Sequence, residues 1–256
     1  MLDKEPHVSP HFIAGMRIGN IMFAVAAIYA HALRVDTPCR VPWAYNDASQ
    51  ALHDYLKHEP VQIPATPFGA NESMRYREPR FSFCKIPADV LEGGICGYFQ
   101  SARYFADQKA AIRELFKPFI AEKQPGTLGL HIRMGDYKDR TDMYRVLDRD
   151  FLRQAVEHVS PEINRLILFS DEPEAALELL ADIPEYQRFS VEVDRNAPCD
   201  AIRRMTAMQE LIISCSSFSW WGAWLGETQK VILPGKWFTG QIYDYQDVYE
   251  PHWIKL

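Results

Sequence analysis

The chain has 256 residues, of which 47% are apolar and 24% charged, and a net charge of −6. That length allows two compact lobes or one large α/β unit, and the composition excludes an intrinsically disordered chain. The acidic balance excludes a protein built to neutralise nucleic-acid phosphates, although a single anionic ligand can still meet a local arginine cluster.

The first strong element is a helix from about Asn20 to Arg34. Its apolar stretch, Ile21 to Leu33, is too short to cross a bilayer and is interrupted by Tyr29 and His31, so a buried helix and no transmembrane segment is expected. No basic stretch or small-residue cleavage site precedes it, which points to the cytoplasm. Five cysteines, Cys39, Cys84, Cys96, Cys199 and Cys215, are scattered without a CxxC pair, a pattern of neither a disulfide framework nor a zinc knuckle. From Pro38 to Pro87 the chain is proline-rich and irregular, and its strands cannot be ordered. Ile112, Leu115, Phe116 and Phe119 then fall on one helical face, predicting a helix over Tyr104 to Phe119. Pro118 and Pro125-Gly126 end it and mark a boundary between an N-terminal lobe, 1–124, and a C-terminal lobe, 125–256.

After that boundary the pattern is regular. Thr127 to Arg133, Arg165 to Phe169, Arg188 to Val193, Leu211 to Ser214 and Lys230 to Leu233 read as short buried strands. Phe151 to Val159, Glu172 to Leu180, Ala201 to Glu210 and Ser219 to Gly226 read as the helices between them. Such alternation predicts an α/β lobe with a parallel sheet.

In an open parallel sheet the ligand lies beyond the carboxyl ends of the strands. Three ends are chemically loaded here: His131-Ile132-Arg133-Met134-Gly135-Asp136-Tyr137, Ser170-Asp171-Glu172 and Ser214-Cys215-Ser216-Ser217. Arginine presents a fork of donors to phosphate oxygens, hydroxyls and helix N-terminal N–H groups add more, and a carboxylate can accept from guanine N–H groups. Each part also has a structural reading: the Arg-x-Gly-Asp run as a charged turn, Asp171 or the serines as helix caps. Their conjunction favours a nucleoside diphosphate site. Trp220, Trp221 and Trp224 share a helix and read as packing. Asp148-Arg149-Asp150 matches a D-x-D metal site but directly precedes a helix, where aspartate is a favoured cap, and His7, His11, His53, His58, His158 and His252 show no ligand spacing. No metal site is predicted.

The run from His131 to Tyr137 resembles the His-x-Arg-Arg-Gly-Asp-Tyr signature of the α-1,2-fucosyltransferases, glycosyltransferase family 11. Gly97-Tyr98-Phe99-Gln100-Ser101-Ala102-Arg103-Tyr104-Phe105, Phe169 to Pro173, Ser216 to Leu225 and Val231 to Phe238 resemble further family motifs in the same order. The family usually opens with Gly-Gly-x-Gly-Asn-Gln-x-Phe; Met16 to Phe23 keeps Gly19 and Asn20 of it, while Met134 replaces a second arginine and Cys215 an asparagine.

The resemblance implies a GT-B-like α/β architecture of two Rossmann-like lobes, with a parallel sheet and GDP-fucose in the C-terminal lobe and the acceptor in the cleft. It implies inversion at the anomeric carbon, with no required metal and no other cofactor. Fucose would pass to a sugar hydroxyl, α-1,2 to a galactoside, on an oligosaccharide or lipid-linked glycan, and the protein would work in the cytoplasm or at the inner membrane face. By the same resemblance Gly19, Asn20, Arg133, Ser216, Ser217 and Phe218 contact the donor, with His131, Asp171 and Glu172 at its guanosine end. Arg133 would stabilise charge on the β-phosphate, and Asp136 is the first candidate for the base. Asp136 could instead be the partner that holds Arg133, with Asp139 or Asp142 as base. The remaining alternatives are a transferase of another GDP-sugar or linkage, and a catalytically silent binding module.

Overall fold

A computed structural model describes residues 5–57, 61–66, 73–240 and 243–256; His58 lies outside them. Two compact units divide the chain, Met1–Pro118 with Tyr243–Tyr249, and Phe119–Ile242 with Glu250–Leu256.

The first unit holds strands β1 (Val8–His11), β2 (Met74–Arg77) and β3 (Gly93–Cys96) and helices α1 (Ile18–Val35), α2 (Asp47–Leu56) and α3 (Lys109–Leu115). Its sheet is parallel with β3 in the centre, in the order β1-β3-β2. Helix α1 is long and apolar enough to cross a membrane by length and composition alone. It is instead the core helix of the unit, with Ile21, Met22, Phe23, Val25 and Ile28 completely buried. Asn46 caps α2 by accepting the Ser49 N–H at 2.9 Å, while the Asn46 N–H donates to Ser49 Oγ at 3.0 Å, so each residue satisfies the other's end-group donor.

The helix expected over Tyr104 to Phe119 is shorter. Only α3 is α-helical, flanked by 3-10 turns at Ala102–Tyr104, Ala106–Gln108 and Lys117–Phe119. The apolar spacing was real, since Ile112, Leu115, Phe116 and Phe119 are all buried, but Pro118 lacks the N–H that a continuing helix would need.

The second unit holds β4 (Gln124–Ile132), α4 (Gly135–Lys138), α5 (Arg149–Glu157), β5 (Arg165–Ser170), α6 (Pro173–Ala181), β6 (Ser190–Val193), α7 (Pro198–Thr206), β7 (Met208–Ile213), α8 (Ser217–Leu225), β8 (Lys230–Leu233) and β9 (Ile254–Lys255). All neighbouring strands are parallel, in the order β6-β5-β4-β7-β8-β9. Counted within the unit this is 3-2-1-4-5-6, the doubly wound order, and its direction reverses between β4 and β7.

Several element boundaries shift from expectation by a few residues, and two of the shifts have a plain structural reason. The helix expected to reach Glu210 stops at Thr206, because Met208 and Glu210 pair with Gln124 and Leu128 of β4. The strand expected from Arg188 begins at Ser190, with Arg188 in a 3-10 turn. On one face of the sheet, Leu128, Leu130 and Ile132 pack with Phe151, Leu152, Leu166 and Leu180. Helices α7 and α8 approach so closely that a Cβ on Gly222 would lie 2.6 Å from Met205 Cβ. Trp220 and Trp221 are completely buried and Trp224 nearly so, with Trp220 stacked on Trp224 at 5.8 Å. They pack the core.

Candidate functional site

The site lies where β4 and β7 diverge. Strand β4 delivers His131 at its end and Arg133 just beyond it. The Arg133 N–H donates to Ser214 Oγ at 3.0 Å, and that hydroxyl and the Ser214 N–H each bond the His131 carbonyl at 3.0 Å. These three bonds cross the gap between strand ends where the regular ladder stops.

The Arg133 guanidinium is gripped by two carboxylates. Its Nη1 lies 3.0 Å from Asp171 Oδ2, while Nε and Nη2 donate to Asp136 Oδ1 at 3.0 and 2.6 Å. Asp171 also accepts the Met134 N–H at 2.9 Å. It therefore fixes both the arginine head and the turn that carries it. Gly135 makes this possible, since a Cβ there would lie 2.4 Å from Asp171 Oδ2. The Asp136 side chain is 50% exposed against 24% for Asp171 and 18% for Arg133, so Asp136 is the outer partner.

Strand β5 brings the remaining acidic residues. Ser170 Oγ donates to the Ile132 carbonyl at 2.8 Å and accepts the Glu172 N–H at 3.1 Å, and Glu172 forms an ion pair with Lys138. The helix-cap reading of Asp171 is overturned: Glu172 occupies the N-cap position of α6, and the Asp171 carboxylate is spent on Met134 and Arg133. The cap reading holds for Ser216, whose hydroxyl accepts the Phe218 N–H at 3.4 Å. Ser217 opens α8 and Phe218 lies against His131, with ring centroids 5.7 Å apart.

His131 is 95% buried by its 5% exposure, and its Nδ1 has no hydrogen-bond partner. Burial, with a smaller contribution from the Arg133 charge, lowers its pKa to about 3. The ring is neutral at neutral pH. Tyr137 donates its hydroxyl to the Cys215 carbonyl at 2.9 Å, and burial pushes that phenol above its ordinary range.

His131, Arg133, Asp136, Asp171, Glu172 and Phe218 are thus tied into one neighbourhood with Ser216 and Ser217. Gly19 and Asn20 lie in the first unit, on the first turn of α1, where Asn20 Oδ1 accepts from Gln100 Nε2 at 2.7 Å. Asp148 caps α5 by accepting the Phe151 N–H at 2.8 Å and pairs with Arg145. Among the described residues no three His, Cys, Asp or Glu side chains gather as a metal site. Sequence reasoning passed over Ser214, Gly135 and Tyr137 as structural supports, although all three stand within the motifs that drew attention to the strand ends.

A doubly wound parallel sheet with an arginine at its reversal point places the chain among α/β proteins of GT-B-like fold. The chain belongs to glycosyl transferase family 11, whose description matches residues 14–256. It is similar to the O-antigen biosynthesis glycosyltransferase WbnK of Escherichia coli, 31% identical over 186 residues covering 61% of this chain and 59% of that one. It is also similar to an alpha-1,2-colitosyltransferase of Escherichia coli, 25% identical over 62% of this chain and 61% of the relative. The galactoside 2-alpha-L-fucosyltransferase of Caenorhabditis elegans is 25% identical over 93% of this chain and 76% of its own length. The chain thus spans about three-fifths of the length of the first two relatives. In fold it is similar to the Escherichia coli heptosyltransferase WaaC with ADP, with a TM-score of 0.53, 10% identity and coverage of 97% and 92%. It is likewise similar to a mutant of Arabidopsis thaliana FUT1 in complex with GDP, with a TM-score of 0.52, 10% identity and coverage of 91% and 71%.

Proposed function

We propose that this chain is an inverting glycosyltransferase that moves fucose from GDP-fucose to a galactoside hydroxyl, forming an α-1,2 linkage on an oligosaccharide or lipid-linked glycan. The observation that carries the reading is the Arg133 guanidinium, held at the sheet's reversal point by Asp171 and Asp136. The names of the relatives support the acceptor and linkage, and two solved structures of this fold hold a nucleoside diphosphate.

The chemistry follows from the two carboxylates. As the bond between sugar and β-phosphate breaks, negative charge grows on the phosphate, and a positioned guanidinium stabilises it. Arg133 supplies the charge that a metal would otherwise bring, so turnover needs no divalent cation. The incoming phosphate competes for Arg133 with the more exposed Asp136, while Asp171 keeps its grip through Met134. Asp136 is released and takes the proton of the attacking hydroxyl as the oxocarbenium-like transition state forms. Asp136 is therefore the counter-ion before donor binding and the base after it. Ser216, Ser217 and Phe218 line the phosphate side at α8, and His131 and the Asp171–Glu172 corner serve the guanosine side.

The colitosyltransferase among the relatives favours a second reading, in which the donor carries another deoxysugar. Mixing the protein with GDP-fucose or GDP-colitose and a β-galactoside separates them. The first reading expects fucose-dependent GDP release that persists in EDTA. Release with GDP-colitose alone supports the second, and release with UDP-galactose but neither GDP-sugar sinks both.

A further inference from the structure

The two strand ends that frame the reversal point are joined a second time, beyond their backbone bonds, by a side chain. Strand β4 carries Arg133 on the turn that follows it, and β7 leads through Ser214, Cys215 and Ser216 into α8. Tyr137, on α4, is buried, and its hydroxyl crosses to that second turn, donating to the Cys215 carbonyl at 2.9 Å over 78 positions of sequence. Burial raises the pKa of this phenol, opposed by the Arg133 charge and by a hydrogen bond from the Ser216 side chain. The hydroxyl therefore touches both the residue that caps α8 and the residue before it.

The ring is fixed as firmly as the hydroxyl. It stacks on Tyr144, with centroids 4.3 Å apart and planes 9° from parallel, and Tyr144 meets the buried Phe238 at 6.0 Å. The segment that carries Tyr144 is tied in turn to the chain after β8, where the Thr239 N–H donates to the Met143 carbonyl and the Thr239 hydroxyl to the Thr141 carbonyl, each at 3.0 Å. Arg133 Cζ lies 5.8 Å from the centroid of the Tyr137 ring, within reach of a cation–π contact. One residue thus meets the guanidinium with its ring and the start of α8 with its hydroxyl. A phenylalanine would fill the same volume. A buried phenol is costly unless its hydroxyl finds partners, and here the partners belong to the other strand end.

We infer that Tyr137 is a positioning residue that holds Arg133 and the N-terminus of α8 in one register, and so makes the site select a nucleoside diphosphate over a monophosphate. The inference rests on the proposed donor site and adds its selectivity. The two phosphoryl groups of a diphosphate share one bridging oxygen, so their separation is fixed. A guanidinium and a set of helix N–H groups grip both only while their own spacing matches it, and a mismatch of ~0.5 Å weakens the grip. A single phosphate is held by either support alone and is indifferent to their spacing. The strut therefore matters to GDP and not to GMP.

The test is calorimetric titration of GDP and of GMP into wild type and Tyr137→Phe, with the melting temperature recorded alongside. Wild type is expected to bind GDP more tightly than GMP. Tyr137→Phe is expected to raise the GDP Kd by roughly three- to tenfold, the loss of one hydrogen-bonded link, while the GMP Kd holds. A lower melting temperature with GDP and GMP affected alike would mark the phenol as merely structural and overturn the inference, leaving the donor site standing. Unchanged affinity for both nucleotides would do the same. Wild type that shows no preference for GDP would overturn the proposed donor site and the inference with it. Tyr144→Leu removes the backing of the ring and leaves the phenol in place, so it gives a second reading should Tyr137→Phe not fold. It is expected to show a smaller loss of the GDP preference, and an unchanged preference overturns the strut.

Discussion

The two units solve the burial of ionisable groups in opposite ways. In the second unit, His131 is buried neutral beside a positive charge, and its Nδ1 lacks a partner. In the first, Glu78 is a half-buried acid that accepts from two backbone N–H groups and a phenol, yet partial burial still raises its pKa. The first group is left without a partner at a strand end, and the second sets the shape of a turn.

The largest expected effect falls on the second unit's side of that contrast. Arg133→Ala should lower kcat by roughly 10²- to 10³-fold, since in the proposed mechanism it removes the charge offered to the leaving phosphate, and steady-state kinetics with the circular dichroism spectrum as a fold control would measure it. Retained turnover would remove Arg133 from the chemistry.

Stability against pH sharpens the contrast further, because the two groups carry opposite signs. For His131 the folded pKa, about 3, lies below the ordinary 6.5, so the unfolded chain binds the extra proton between those values. Its unit should lose stability as pH falls from 6.5, by about 1.4 kcal/mol for each pH unit well inside that window. Hydrogen exchange of the β4 amides would read this slope, and His131→Phe should flatten it. For Glu78 the folded pKa is raised above 4.5, so the folded chain holds the extra proton and stability falls as pH rises through that range. Exchange at the β3 amides should show this smaller, reversed slope, and Glu78→Gln should abolish it. Slopes of the same sign in both units would break the contrast.

The same division explains what was legible in the sequence. In the second unit, periodic apolar strands announced where each strand ended, and the chemistry stood one or two residues beyond, so Arg133, Asp171 and Ser216 could be found by position. Its misread edges, at Thr206 and Arg188, were places where strand pairing overrode an apparent helix or a 3-10 turn replaced strand. What could not be read was the partner of each carboxylate: Asp171 read either as a helix cap or as a guanosine contact, and only the fold shows it under Gly135 and against Arg133. In the first unit the organising contacts are distant in sequence and lie in irregular segments. Glu78 reaches residues 20, 21 and 26 positions away, and Arg34 pairs with Asp107 across 73. A Glu just before a proline carries no periodic signal, so the clamp under the Gly97 to Ser101 motif was invisible even though the motif itself was recognised.

Calorimetric titration of GDP-fucose into wild type and Arg133→Ala, both in EDTA, tests the central claim most directly. The account predicts metal-independent binding by wild type that is lost or strongly weakened in the variant. Wild type that fails to bind, or a variant that binds equally well, would contradict it.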